Sequence, residues 1–242
     1  KRLTVGGGSS SLKVRHECTP LEGLTAAAGD SVQIVYERGY VGDVTGFLDG
    51  VSTGQDLRES RSAEQLVSDA VKAALEADAV IFVGGLNKAH GNDSEGSDRL
   101  SLSLPYGQDS LIEALAGANP NLAVVLVSGN AVAMPWVETV PAIVQAWYLG
   151  SQAGYALADV LFGNVNPSGK LPFTFPVRLE DNGAHATGSY SAESLTANYA
   201  EGIYVGYRRA EKYAVKPLFA FGHGLSYTEF SYGQARTSGK TM

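Results

Sequence analysis

At 242 residues and 44% hydrophobic, the chain carries enough apolar material for one large core, and its 29 glycines point to many tight turns rather than to disorder. A net charge of −7 and a pI near 5.1 argue against a nucleic-acid surface, and no segment approaches the roughly 18 apolar residues of a membrane span. A neutral or small polar ligand suits this balance better. The single cysteine, Cys18, cannot form an internal disulfide and reads as a small buried hydrophobe. The chain opens on Lys1 without a Met or a signal peptide, so something upstream is expected.

Thr19-Pro-Leu-Glu22 has the capping-box spacing with Pro at the first helical position, and Leu21, Leu24 and Ala28 continue a short helix to Gly29. Val32 to Tyr36 reads as a strand. Residues 40 to 61 are rich in Gly, Asp and Ser with weak periodicity, which predicts a long surface excursion. Ser62-Ala-Glu-Gln65 is a second capping box, opening a helix with Leu66, Ala70, Val71 and Ala74 inward that runs to about Ala77. Ala79 to Val83 is wholly apolar, as a parallel strand covered on both faces should be, and ends at Gly84-Gly85. A charged loop leads to Arg99. Pro105 to about Ala116 reads as a helix with Leu111, Ile112 and Leu115 inward, followed by strands at Ala123–Val127 and Ala142–Ala146. Ser151 is a candidate N-cap for a helix over Gln152–Phe162 that Gly163 stops. Asn166-Pro167-Ser168-Gly169 reads as a turn, and Lys170 to Thr174 alternates into a strand bounded by Pro176.

This alternation predicts an α/β fold, an open mostly parallel sheet with helices on both faces in an αβα sandwich, with right-handed crossovers. Residues 1–176 form the sandwich core in this reading. Residues 177–242 form irregular loops and short strands that wrap it.

In an open parallel sheet, ligands gather outside the carboxyl ends of the strands. Gly84–Arg99, Ser128-Gly-Asn130 and Trp147-Tyr148 all leave such ends, and Gly6-Gly-Gly-Ser9 would join them after an upstream strand. That rim offers backbone N–H groups, two aromatic faces and a cluster of carboxylates, which suits a sugar better than an apolar ligand. The segment Asn92-Asp-Ser-Glu-Gly-Ser-Asp-Arg99 holds most of the chemistry. From spacing alone Glu95 reads first as a solvated acidic loop residue. The segment departs from a Ca²⁺-loop pattern and lacks the distal Glu, so no metal is implied, and no cofactor either. Gly6-Gly-Gly-Ser9 lacks the phosphate-loop Lys, which favours a neutral turn. Ser128-Gly129 and the histidines do not make a hydrolase triad, for want of a G-x-S-x-G elbow. His16 and His185 have no evident partner, and His90 reads as a loop residue near Glu95. Trp147 and Tyr148 read as half core, half rim.

The run from Gln145 to Pro176 and the later Phe219-Ala-Phe-Gly-His-Gly-Leu-Ser-Tyr227 closely resemble the second, α/β-sandwich domain of family 3 glycoside hydrolases, the β-glucosidase family. Many of its members have a Glu-Gly-x-Asp-Arg segment before a Leu-x-Leu-Pro helix start, and here Glu95-Gly-Ser-Asp-Arg99 precedes Leu102-Ser-Leu-Pro105. The resemblance implies a retaining exo-acting β-glycosidase, a β-glucosidase first of all, hydrolysing terminal non-reducing β-D-glucosyl residues of an oligosaccharide or β-glucoside. It maps the acid/base onto Glu95, with Gly96 letting the loop turn and Asp98 and Arg99 anchoring it. Trp147 and Tyr148 would line the substrate rim or hold its loops. The nucleophile aspartate belongs to an N-terminal (β/α) barrel of which this chain has no trace, so the site would be shared with that barrel. A strand is expected just upstream of the glycine run, and a fibronectin-like domain follows in many members but not here. The resemblance favours a periplasmic or secreted location, which the sequence itself does not give. The rival readings are a non-catalytic carbohydrate-binding or scaffold domain and a flavodoxin-like nucleotide module.

Overall fold

A computed structural model describes residues 14–42, 58–87, 89, 91–93, 96–190, 195–236 and 239. Its sheet is built from β1 (Val80–Gly85), β2 (Leu122–Val127) and β3 (Ala142–Gln145), all parallel and in that spatial order. Val80 lies opposite Leu122, and Ala123 opposite Ala142. The central strand is apolar because both its faces are covered. Successive strand residues point to opposite faces, so Val124 and Leu126 join Phe82, Leu111, Ile112 and Leu115 on one side. Val125 joins Ala146 and Leu157 on the other. Burying each of the Val, Leu, Ile and Phe side chains among them stabilises the fold by about 1.5–3 kcal/mol.

Helices α1 (Pro20–Ala28), α2 (Ala63–Glu76), α3 (Gln108–Ala118) and α4 (Ala153–Leu161) cover that sheet. Leu66, Ala70 and Ala74 of α2 are buried, and α2 and α3 lie on the first face. Helix α4 lies on the second face, with α1 packed along it. The result is the open parallel sheet with helices on both faces that the alternating pattern predicts.

The α1 cap forms as expected: Thr19 Oγ1 accepts from Glu22 N at 3.2 Å, and Thr19 N donates to Glu22 Oε2 at 2.7 Å. Only half of the second box forms. Ser62 Oγ accepts from Gln65 N at 3.2 Å, but the Gln65 amide turns away and donates to Asp69 Oδ1 at 2.7 Å. At the start of α4 the residue before the helix is Gln152 and no side chain caps it; the carbonyl of Ser151 instead accepts from Cys18 N at 2.8 Å. Helix α3 begins at Gln108 rather than Pro105, because Tyr106 (φ 64°) and Gly107 (φ 72°) are left-handed and cannot continue a right-handed turn.

Two expected strands differ. Val32–Tyr36 pairs with no strand among the described residues, and Val32, Val35 and Tyr36 are exposed; without a neighbouring ladder, β-prone residues alone do not make a strand. Lys170–Thr174 is irregular because Pro172, having no N–H, interrupts the pairing. What remains is Leu171 N to His223 O at 2.8 Å, Phe175 N to Phe219 O at 2.8 Å, and an isolated antiparallel bridge between Phe175 and Phe219. Beyond residue 176 the regular pieces among the described residues are a 3₁₀ turn at Leu179–Asp181 and the short helices α5 (Gly183–Ala186) and α6 (Tyr207–Lys212). The glycine run 6–11, most of the excursion 40–61 and most of the polar tail lie outside the described residues, as do His90 and Glu95. Among the described residues no helix is long and apolar enough to cross a membrane.

Candidate active site

The loops after β1, β2 and β3 meet at the carboxyl edge of the sheet, and Asp93 ties them together. Its Oδ2 accepts from Gly129 N at 2.6 Å and from the Tyr148 hydroxyl at 2.8 Å, and its Oδ1 accepts from Asn130 Nδ2 at 2.5 Å. Its own N–H donates to Asn87 O at 2.9 Å. Asn87 is a second node: its Oδ1 accepts from Ala89 N and Asn92 Nδ2, both at 2.9 Å, and its Nδ2 donates to the Tyr106 hydroxyl at 2.9 Å. The hydroxyl also accepts from Asn92 Nδ2 at 3.2 Å. Tyr106 reaches this position from its left-handed backbone, a conformation that costs energy in a bulky residue and tends to occur at functional sites.

Beneath these nodes, Gln108 fixes the end of β1. Its Oε1 accepts from Gly85 N at 2.7 Å, and its Nε2 donates to Gly85 O at 2.8 Å and Pro105 O at 2.9 Å. This explains Gly84-Gly85. A Cβ on Gly84 would lie 2.3 Å from Gln108 Oε1, and one on Gly85 would lie 2.1 Å from Val127 O.

Arg99 donates to Ala131 O at 2.6 Å and to Ser103 O at 3.3 Å, which pins the far end of the charged loop to the segment after β2. Burial pulls its pKa down, and the negative charge of Asp93 acts against that. Asp98 accepts a hydrogen bond from the Tyr190 hydroxyl, linking the same loop to the chain after α5. Burial, and then the charge of Asp93, push the Tyr148 hydroxyl well above the ordinary tyrosine range, so Tyr148 remains a donor. Tyr148 and Arg99 therefore converge on the Asp93 neighbourhood. Trp147 does not. From its own left-handed backbone (φ 55°) it packs edge-on against Phe173 and Phe175, with ring centroids 5.8 and 6.3 Å away.

Ser128 is fully buried; its hydroxyl donates to Asn130 O at 2.9 Å and accepts from Gln145 Nε2 at 3.0 Å, an arrangement that spaces loops. His185 has a partner after all, the ring of Tyr190 at 5.8 Å. Cys18 is buried. Among the described residues no group of three or more His, Cys, Asp or Glu is placed to hold a metal. Asp93, Asn87, Tyr106 and Gln108 are the residues that sequence reasoning passed over. The signal for two of them was a Tyr-Gly pair ahead of a helix and a paired glycine at a strand end.

Among the described residues the arrangement is a set of loops joined by polar contacts at the carboxyl edge of the sheet, with Asp93 among them. Residues 1–227 match the family model for the glycosyl hydrolase family 3 C-terminal domain. The chain belongs to this family. A β-glucosidase of Bacteroides ovatus is 50% identical over 244 aligned residues, covering 100% of the chain and 32% of that protein. The crystal structure of a family 3 β-glucosidase from Bifidobacterium adolescentis superposes with a TM-score of 0.75 at 34% identity, covering 91% of the chain and 30% of that one. That of a Kluyveromyces marxianus β-glucosidase in complex with glucose gives 0.66 at 39% identity, over 71% of the chain and 20% of that one. The chain thus spans about a third or less of the length of these relatives. As a family 3 C-terminal domain, it belongs among glycoside hydrolases by descent.

Proposed function

We propose that the chain supplies Glu95 as the acid/base of a retaining, exo-acting β-glucosidase, in a site shared with an N-terminal barrel that carries the nucleophile aspartate. The substrate in this reading is a terminal non-reducing β-D-glucosyl residue, in keeping with the names of the relatives and the glucose bound to one of them. The observation that carries the reading is the segment Glu95-Gly-Ser-Asp-Arg99, whose flanks Asp93 and Arg99 are fastened at the carboxyl edge of the sheet by bonds of 2.5–2.8 Å and 2.6 Å.

Retention needs two carboxyl groups about 5–5.5 Å apart, one protonating the leaving oxygen and one attacking the anomeric carbon. Glu95 takes the first role, giving its proton to the departing alcohol and then taking one from the water that releases the glycosyl-enzyme. Asp98 and Arg99 keep the loop in place through Tyr190 and the carbonyl of Ala131. Residues 1–176 provide the sandwich, and residues 177–242 wrap it.

The test is Glu95→Gln in the complete enzyme. Aryl β-glucosides with poor leaving groups should lose about 10²- to 10⁴-fold in kcat/KM, the usual worth of a positioned general acid. Activated aryl glucosides, which depart without protonation, should lose less, and azide should restore part of the slow deglycosylation. Uniform losses with no azide rescue would make Glu95 a loop acid and the domain a scaffold.

A further inference from the structure

We propose that Asp93 is a positioning residue for the acid/base, tying the loop that bears Glu95 to the loops after β2 and β3 so that proton transfer depends on it. The inference rests on the role proposed above for Glu95, which follows Asp93 by two residues. Asp93 is 8% exposed, unusual for a carboxylate in a charged loop. Both its oxygens are taken by protein donors: Gly129 N and the Tyr148 hydroxyl on one, Asn130 Nδ2 on the other. These partners lie 36, 37 and 55 residues away, so the carboxylate joins the charged loop to two chain segments distant from it in sequence.

The fit is close on the partner side too. A Cβ on Gly129 would lie 3.4 Å from Asp93 Oδ2 and 3.3 Å from the Tyr148 ring, so any larger residue there would press on the contact. The backbone of Asp93 is held by Asn87 O, and Asn87 is held by Tyr106. With both oxygens bonded to protein donors and its side chain buried, Asp93 is turned into the protein rather than toward a ligand. Its effect must therefore pass through the segment it holds. Misplacing a reacting group by about 1 Å can cost about 10²-fold in rate.

Asn replaces this carboxylate imperfectly. An amide has one oxygen, so its NH₂ must face either Gly129 N and the Tyr148 hydroxyl, donor against donor, or Asn130, which has to turn its own amide over to accept, and in both cases the negative charge that the three donors share is lost. In the complete enzyme, Asp93→Asn should lower kcat/KM by about 10- to 100-fold on poor leaving groups and distinctly less on activated ones, the pattern expected for impaired acid catalysis. Tyr148→Phe, which removes one donor and leaves the other two, should show the same pattern more weakly, and it carries the test if Asp93→Asn does not fold. Introducing either change into Glu95→Gln should cost nothing further, because groups that act as a unit are not additive.

Equal losses across leaving groups, or losses that multiply in the double variants, would overturn the role of Asp93 while leaving that of Glu95 intact. A Glu95→Gln enzyme without leaving-group dependence would overturn the reading of Glu95, and this inference with it.

Discussion

Gln108 is completely buried, and its amide takes up both backbone polar groups of Gly85, the last residue of β1. It accepts from Gly85 N and donates to Gly85 O, and it holds Pro105 O as well. Gln108→Leu keeps roughly the volume but orphans Gly85 N–H and C=O, each at a cost of about 1–3 kcal/mol. The loop after β1 starts there, so the loss is felt in the loop and not only in global stability. Amide exchange in the peptide spanning residues 80–87 should accelerate by at least about tenfold in the variant. Unchanged exchange would show that water takes over both bonds. The sequence pattern alone reads Gly84-Gly85 as a strand stop. The reasons for it, the Gln108 side chain against Gly84 and the Val127 carbonyl against Gly85, are invisible without the fold.

Between elements, α1 and α4 pack backbone against backbone. Gly154 N donates to Cys18 O at 2.9 Å, and a Cβ on Gly154 would lie 2.0 Å from Thr19 O. A Cβ on Gly23 would lie 2.1 Å from Gly154 O. Alanine would add about 1 kcal/mol of helix propensity at either position. The clash is with backbone atoms at well under contact distance, so the helices must part, and overpacking of this kind costs about 1–3 kcal/mol or more. Gly23→Ala and Gly154→Ala should each lower the thermal midpoint, and the double variant by less than the sum, since one separation relieves both. A raised midpoint would mean that the helices are held less closely. A charged cluster ties the chain around residues 37 and 59–61 to α2: Arg61 reaches Glu59 at 3.0 Å, Glu37 at 3.1 Å and Asp69 at 2.9 Å. Hydrogen bonds from Arg61 hold the Glu59 carboxyl down to about 2 from its ordinary 4.5. Because the folded value lies below the unfolded one, what Glu59 contributes is complete above about pH 4.5 and is lost as the pH falls through 2. Arg61→Gln should flatten the acid limb of the midpoint against pH between those values. An unchanged limb would assign it to other carboxylates.

Across the whole molecule, the sheet and its covering helices were legible because each is specified locally. Apolar runs gave β1 and β2, and capping residues and helical periodicity gave α1 and α2. The misread pieces depend on something distant or on one dihedral: Val32–Tyr36 on a partner strand, the start of α3 on left-handed Tyr106, the 170–174 segment on Pro172. Of the candidate site, the segment around Glu95 could be singled out in the sequence but the bonds of Asp93 beside it could not, because an Asp in an acidic loop reveals nothing of Gly129, Asn130 and Tyr148. The same division bears on the chain alone. Tyr199 is 91% exposed, Leu225 78% and Tyr232 93%, with Leu195, Ile203 and Phe230 also open. Large apolar side chains left open this often along one stretch of the chain are what a surface covered by another part of an enzyme would show. If the rest of a family 3 enzyme covers it, residues 1–242 expressed alone should bind a hydrophobic dye and self-associate with rising concentration, while the complete enzyme does neither. The isolated chain should also turn over no aryl β-glucoside, because a single acid/base carboxyl cannot form the glycosyl-enzyme intermediate without the nucleophile. Sedimentation, dye fluorescence and a rate assay on the same preparation separate the two ideas. A dye-negative monomer at high concentration would free this arm from any interface role, and turnover by the purified chain would mean that both carboxylates lie within these 242 residues.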